Sequence, residues 1–478
     1  MELTIKILRV TLTLVEVVLL FNLLIIVHEL GHYWAAKWRG LRVDKFQIWF
    51  GPTIWKKTIG GVQWGLGTIP AGGFVALPQM APMEAIEGRS EQAPGGRADL
   101  PPITPKDKII VAFAGPLFSF LLAVVFSLLV WQLGRPVSGL ETTTVVGTVI
   151  EGMPAAAEGG LKPGDRILRI DGEEVDGFFG LSSGIVTRVA FSEGETILFE
   201  VERPGEPGVL EIELAPHVDR ETSFFERGGI RSVGIMPAFQ PVVGAVMDDS
   251  PAARAGIEEG DRFVRLNGKP VIHAGQINQW IEDNPGVAVE LEVERAGERN
   301  RMVSVLPIAP ERPEGRNPML GVAWSREIAL AHPRPGEQLV TAATTIFRTL
   351  GALFSSKSEI NVSHLSGPVG IGGAFYDMLT SEYGWLLALW FGVVVNVNLA
   401  ILNMLPLPVL DGGHITLALI EWIRGRAPNI RVLEYVQSAF VLMLLGLFLY
   451  ITVLDVRDRM APMPEPEPVV FPAAPEDR

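Results

Sequence analysis

Cysteine is absent from the 478 residues of this chain. That excludes disulfides, thiolate metal ligands and a cysteine nucleophile. Histidine is nearly as scarce, with seven residues, so any metal centre must be built from a few imidazoles and carboxylates. Basic charge is also in the minority, 40 Lys and Arg against 54 Asp and Glu, for a net charge of −14. No basic stripe appears, which argues against a nucleic-acid partner, because phosphate binding relies on clustered cations.

What the chain does have is long apolar runs. Hydrophobic residues make up 48% of it and are concentrated at about 12–27 (continuing as a helix through Trp38), 109–131, 385–404 and 436–454. Each run approaches the ~20 residues needed to cross a bilayer core. The predicted fold class is a polytopic α-helical membrane protein with about four transmembrane helices. Lys6 and Arg9 ahead of the first run mimic a signal peptide, but no small-residue cleavage site follows, so a retained span is expected. Lys37, Arg39, Arg42, Lys45, Lys56 and Lys57 follow the first span, and Arg424, Arg426 and Arg431 lie between the third and fourth. By the positive-inside rule these stretches face the cytoplasm. Both termini and the segment between the second and third spans then lie outside, in the periplasm of a Gram-negative cell.

At the end of the first run stands His28-Glu29-Leu30-Gly31-His32. Two histidines four apart on a helix lie one turn apart and about 40° from alignment, so both can reach one cation. A zinc ion held by two imidazoles and a third ligand keeps a position for water, with the adjacent Glu29 as general base. The motif implies a metal site inside a membrane.

The segment between the second and third spans repeats itself. One copy contains Val145-Val146-Gly147-Thr148-Val149, Met153-Pro154-Ala155-Ala156 and Gly164-Asp165-Arg166, ending at Asp171-Gly172. The other contains Val242-Val243-Gly244-Ala245-Val246, Ser250-Pro251-Ala252-Ala253 and Gly260-Asp261-Arg262, ending at Asn267-Gly268. Each predicts a strand, a Pro-started helix, a Gly-Asp turn, an alternating strand and a hairpin turn. The pattern resembles the PDZ domain (α+β) at 142–217 and 240–308, with a linker at about 215–238. Such a pair either captures peptides by strand addition or acts as a spacer and size filter.

A third metal ligand is sought near the cytoplasmic end of the third span, in Asn403-Met404-Leu405-Pro406-Leu407-Pro408-Val409-Leu410-Asp411-Gly412-Gly413-His414. Two prolines and two glycines at membrane depth must break the helix, and an ionisable Asp411 there is a functional candidate. HExxH in the first span, tandem PDZ-like repeats and this late motif together resemble the site-2 protease family of intramembrane zinc metalloproteases, in its bacterial branch with two PDZ domains. The resemblance covers about residues 10–455. It implies that His28, His32 and Asp411 bind Zn2+, that Glu29 is the catalytic base, and that Asn403 holds the substrate or the oxyanion. The alternative for Asn403 is an interhelical hydrogen bond.

Ile69-Pro70-Ala71-Gly72-Gly73-Phe74-Val75 resembles the family's membrane-associated β-loop, whose Gly72, Gly73, Phe74 and Val75 would pair with an extended substrate. An interfacial hairpin anchored by Trp49, Trp55 and Trp64 is compatible with that role. Ser366-Gly367-Pro368-Val369-Gly370-Ile371 also matches the family and is assigned no chemistry. Two departures stand out: Ser119, where relatives commonly carry asparagine, and Ala76-Leu77-Pro78 after the β-loop. Neither is expected to touch a ligand, so both bear on substrate preference. His217, His273, His332 and His364 are expected at surfaces, His414 beside the site without coordinating, and Asn22 on the same helix face as Glu29.

The domain plan that follows is 1–38, first span with HExxH; 39–107, cytoplasmic and β-loop region; 108–134, second span; 142–217 and 240–308, PDZ domains; 309–383, interfacial helix and Gly-Pro segment; 384–413, third span with the Asp411 motif; 432–456, fourth span; and 459–478, a disordered acidic tail. By resemblance the partners are a single-pass, anti-sigma-factor-like membrane substrate, remnant signal peptides, membrane lipids and a peptide ligand of the PDZ domains. A catalytically inert scaffold has no need for Glu29. A metal transporter would need ligands along several spans rather than at one depth.

Overall fold

Runs of apolar residues with few internal breakers form the longest helices of the molecule. The computed structural model describes residues 2–80, 103–219, 226–238, 240–296, 301–311, 315–325, 328–426, 430–461 and 469–472. The chain divides into two compact units, one of 1–135, 331–347 and 365–460, the other of 136–330, 348–364 and 461–478.

Among the described residues the first unit holds α1 (Glu2–Trp38), α2 (Pro105–Leu133), α3 (Pro368–Thr380), α4 (Gly384–Asn403), α5 (Asp411–Arg424) and α6 (Ile430–Met460), and the helix Pro335–Phe354 also starts in it. Four of them, α1, α2, α4 and α6, are long and apolar enough to cross a membrane. Many of their apolar side chains are exposed, among them Leu8, Leu19, Leu121, Leu442 and Leu449, which hydrocarbon tolerates and water would not. The start of α2 is set by a capping box in which Thr104 and Asp107 satisfy each other's backbone N–H, with Pro105 in the first turn. Arg39, just past α1, donates to Asp107 at 2.7 Å and ties the two helix ends together.

Four strands follow α1: β1 (Lys45–Phe50), β2 (Trp55–Ile59), β3 (Val62–Leu66) and β4 (Ile69–Ala76). They pair in the order β2-β3-β1-β4, with β1 parallel to β3 and antiparallel to β4. Phe46 stacks on Trp64 with centroids 4.5 Å apart, and Tyr33, one residue past His32, meets both edge-on. Aromatic packing thus fixes the sheet to the motif helix. Trp64 is therefore part of a core, and Trp49 donates its indole N–H to Asn22 of α1. Of the three tryptophans expected as interfacial anchors, only Trp55 is exposed.

The Asp411 motif does not continue the third span. Helix α4 stops at Asn403, residues 404–410 form an irregular turn with Pro406 and Pro408, and Asp411 opens the separate helix α5. Proline removes backbone donors and fixes φ, so the helix cannot run through. The Gly-Pro segment, given no chemistry from sequence, starts α3. The N–H groups of Gly367 and Gly370 donate to the buried Asp455 carboxylate of α6 at 3.0 and 2.8 Å.

The second unit contains the two repeats. In the first, Val209–Leu214, Ile197–Glu202, Arg166–Ile170 and Glu173–Glu174 pair in that order; in the second the corresponding order is Arg301–Val305, Val289–Glu294, Arg262–Leu266 and Lys269–Pro270. Both tight hairpins have two residues at positive φ, Asp171-Gly172 and Asn267-Gly268, as a type I′ turn requires. Equivalent residues fill the two cores: Val146 and Val243, Ala155 and Ala252, Leu161 and Ile257, Ile167 and Phe263.

The buried aspartate of each Gly-Asp turn meets an arginine in the same way. Arg203 donates to Asp165 and to Gly160 O, and Arg295 donates to Asp261 and to Gly256 O. Burial pushes the Asp261 carboxyl up, but the Arg295 hydrogen bonds and charge, with the Glu258 N–H, hold it below its usual range.

Each repeat also reaches past its expected boundary. Ile235–Pro237, inside the stretch read as a linker, pairs with Val146–Val149, and Val322–Trp324 pairs with Val243–Val246. Strands of three residues carry no readable alternation, yet an open edge must find partners. His273, expected at a surface, is 2% exposed. Residues 81–102 of the cytoplasmic region, and 462–468 and 473–478 of the tail, lie outside the described residues. The tail is not wholly featureless, however, because Phe471 is buried in the second unit.

Candidate metal centre

Helix α1 brings the imidazoles of His28 and His32 to one point, their Nε2 atoms 3.3 Å apart. Asp411 completes a triangle, with Oδ2 3.3 Å from Nε2 of His28 and Oδ1 3.3 Å from Nε2 of His32. One potential donor atom from each residue lies within 4.8 Å of the others. Tetrahedral ligation at bond lengths of roughly 2.0–2.1 Å places ligand atoms about 3.3–3.4 Å apart. The set of two imidazoles and one carboxylate therefore fits zinc in both chemistry and spacing.

The far side of each imidazole is also held. Nδ1 of His32 lies 2.8 Å from Val111 O, and Nδ1 of His28 lies 2.9 Å from Ser119 Oγ. A carbonyl only accepts, so His32 carries its proton on Nδ1 and presents a bare Nε2 to the metal. Ser119 is fully buried. The expectation that its replacement of asparagine leaves the ligands untouched is thus corrected: it contacts one of them.

Helix α2 can supply these partners because glycine lets it approach α1 closely. A methyl group at Gly115 would fall 2.2 Å from Nε2 of His32 and 2.8 Å from Nε2 of His28, and one at Gly31 would fall 2.3 Å from Ala114 O. No larger residue fits either place. Glycine also shapes the Asp411 side, where methyl groups on Gly412 and Gly413 would collide with Met404 O at 2.2 Å and Leu407 O at 2.0 Å. Gln437 of α6 donates to Pro408 O at 3.1 Å and braces this turn.

The three donors open onto a cavity of about 260 Å³ that is also lined by Glu29, Gly72, Gly73, Asn403 and His414. Two predicted positions do not line it. Val75 is buried in the core between the sheet and the helices, and Phe74 is buried with Lys45 over its ring. Adjacent residues of a strand face opposite sides, and packing buries each of these two side chains on its own side of the sheet. Asn22 is likewise engaged elsewhere, donating to Val18 O and accepting from Trp49. Strand β4 lies at the sheet edge, and a methyl group on Gly73 would sit 3.5 Å from Cγ of Glu29, so its backbone passes beside that carboxylate.

Comparison with known proteins agrees with this geometry. The model of peptidase family M50 matches residues 16–447. The chain belongs to peptidase family M50. It is accordingly a membrane protease, a zinc metallopeptidase of the site-2 type. A putative zinc metalloprotease of Neisseria meningitidis is 30% identical over 441 residues, covering 88% of this chain and 93% of the relative. The regulator of sigma-E protease RseP of Escherichia coli is 29% identical over 466 residues, 91% and 97% of the two chains. A putative zinc metalloprotease of Treponema pallidum is 30% identical over 439 residues, 88% and 93%. Within this M50 chain, Val111 and Gly115 are site residues that sequence reasoning missed, and the contacts of Gly31 and Ser119, both noted in the sequence, were missed with them. The one signal for them was Gly115-Pro116 inside an otherwise apolar helix.

Proposed function

We propose that this chain is an inner-membrane protease that cleaves transmembrane helices of single-pass proteins already shortened on their outer side. The observation that carries this reading is the common cavity of His28, His32 and Asp411 with Glu29, Asn403 and the β4 backbone. His28, His32 and Asp411 would hold zinc, which when bound would supply Lewis acidity and a water whose pKa is lowered to about 7. Glu29 takes the proton from the attacking water and passes it to the leaving amine, a contribution of about 10²–10⁴-fold. Asn403 donates its amide N–H to the substrate backbone.

A helical substrate hides its peptide bonds in its own hydrogen bonds and must be extended before cleavage. The edge strand β4, at Gly72 and Gly73, offers free backbone groups for that purpose. The name of the Escherichia coli relative supports membrane-anchored regulators of sigma factors as the substrate class. The two repeats are read as PDZ domains on the periplasmic side that restrict access by bulky substrates, with the metal centre towards the cytoplasm.

The test is cleavage of a membrane-anchored reporter carrying a model helix. Loss of cleavage with Glu29→Gln at full zinc content, and in wild type on chelation, supports the assignment. Undiminished cleavage by Glu29→Gln would falsify it.

A further inference from the structure

The last 18 residues, 461–478, contain six prolines, four acidic side chains and one apolar cluster, Val469-Val470-Phe471. That cluster is docked on the second repeat. Phe471 is 4% exposed, the Glu311 N–H donates to Val470 O at 2.7 Å, and the Arg254 guanidinium donates to Pro472 O. A proline-rich segment is short of backbone N–H and rich in carbonyls, and here both recognised groups are carbonyls met by donors.

The internal repeat explains the position of Phe471. Gly234 in the first repeat and Gly321 in the second are equivalent. Both have φ near +80°, at +80° and +78°, and their carbonyls accept from the equivalent N–H groups of Ile150 and Met247. Over Gly234 lies the Met153 side chain, and a methyl group on that glycine would fall 2.6 Å from its Cγ. The residue equivalent to Met153 is Ser250, whose side chain ends at Oγ and leaves the space beyond open. In the second repeat that space is taken by Phe471, two of whose ring carbons would lie 2.9 Å from a methyl group on Gly321. One repeat fills the notch with its own methionine and the other fills it from the C-terminus.

Topology allows this. Two of the four helices long and apolar enough to cross a membrane lie between the repeats and the tail, so on the topology proposed above residues after Met460 emerge on the side of the repeats.

We propose that the C-terminal segment Val469–Pro472 is a built-in peptide ligand of the second repeat, with Phe471 as its anchor in the Ser250–Gly321 notch. The surface recognises an extended, apolar, proline-containing peptide, and in this protein its occupant is the chain's own tail.

Hydrogen exchange on the full-length protein in nanodiscs tests this at residues 306–311, where Pro307 and Pro310 leave few amides and Glu311 reports the tail bond. Phe471→Ala removes the anchor, and Ser250→Met installs the first repeat's own filling. Both variants are expected to speed exchange at Glu311 about tenfold while the amides of Val289–Glu294 and Arg301–Val305 keep their protection. A synthetic peptide of residues 465–476 added to Phe471→Ala is expected to restore protection. Unchanged exchange at Glu311 in both variants overturns the proposal. So does loss of protection throughout the repeat that the peptide does not reverse, because the segment would then be part of the core rather than a ligand.

Discussion

Ser119 Oγ lies 2.9 Å from Nδ1 of His28, on the side of the ring opposite the metal position. A hydroxyl on one helix thus orients a ligand on another. Removing it with Ser119→Ala frees the imidazole to rotate. Loss of such an outer partner typically costs about 10–100-fold in metal affinity or activity. Zinc titration against a competing chelator should show that weakening, and reporter cleavage should fall with it at limiting zinc. Ser119→Asn, which keeps a polar partner, should retain more affinity than Ser119→Ala.

Gly115→Ala is the sharper test of how close the helices must come. Its methyl group would occupy the space in front of both Nε2 atoms, 2.2 and 2.8 Å away. The variant is expected to be purified without zinc and without activity. A methyl group at the exposed Gly446 of α6 meets nothing within 4 Å, so Gly446→Ala should keep both. Metal content by atomic emission separates the two outcomes.

Asp455 joins α6 to the start of α3 through the N–H groups of Gly367 and Gly370. Replacement by alanine leaves those helix-terminal donors without their acceptor. Loss of a capping side chain costs about 0.5–2 kcal/mol, so Asp455→Ala should lower the thermal midpoint in detergent. Its bonds to Gly367 and Gly370 do not involve the candidate metal ligands, and zinc content should be unchanged.

His273 sets a pH dependence for the second unit. Its ring is buried, neither nitrogen has a hydrogen-bond partner among the described residues, and burial pushes its pKa down to about 4. The unfolded chain binds that proton near 6.5, so stability is full above 6.5 and is lost progressively as pH falls towards 4. Denaturant unfolding of the full-length protein at pH 7.5 and 5.0 should show a lower midpoint at pH 5.0. His273→Leu should reduce the difference.

Much of the centre was legible because its signals are local. Four-residue spacing on a helix places His28 and His32 on one side without reference to the rest of the fold, and apolar runs of about 20 residues mark the helices able to cross a membrane. The hairpin dipeptides Asp171-Gly172 and Asn267-Gly268 were readable for the same reason, since positive φ selects those residues. Proximity between distant segments was not legible from the residues themselves, and Asp411 was joined to His28 and His32 only through the family resemblance. Ser119 was noticed only as a departure from a pattern, and its bond to His28 depends on the α1–α2 crossing that Gly31 and Gly115 permit. The strand Gly72–Val75 was legible as a candidate for pairing with an extended substrate, whereas the burial of the Phe74 and Val75 side chains follows from the packing of the sheet and was not.

The two ends of the chain show the same division. Sequence alone determined the ligand types, the helices and the repeat, because composition and periodicity act over a few residues. Only the tertiary structure decided that three-residue strands at 235–237 and 322–324 complete the repeats, that Asp411 opens a new helix facing His28 and His32, and that Phe471 fills a notch left by Ser250. Each of these depends on which backbone groups or spaces other segments leave open, and that is a property of the folded chain rather than of any window in its sequence.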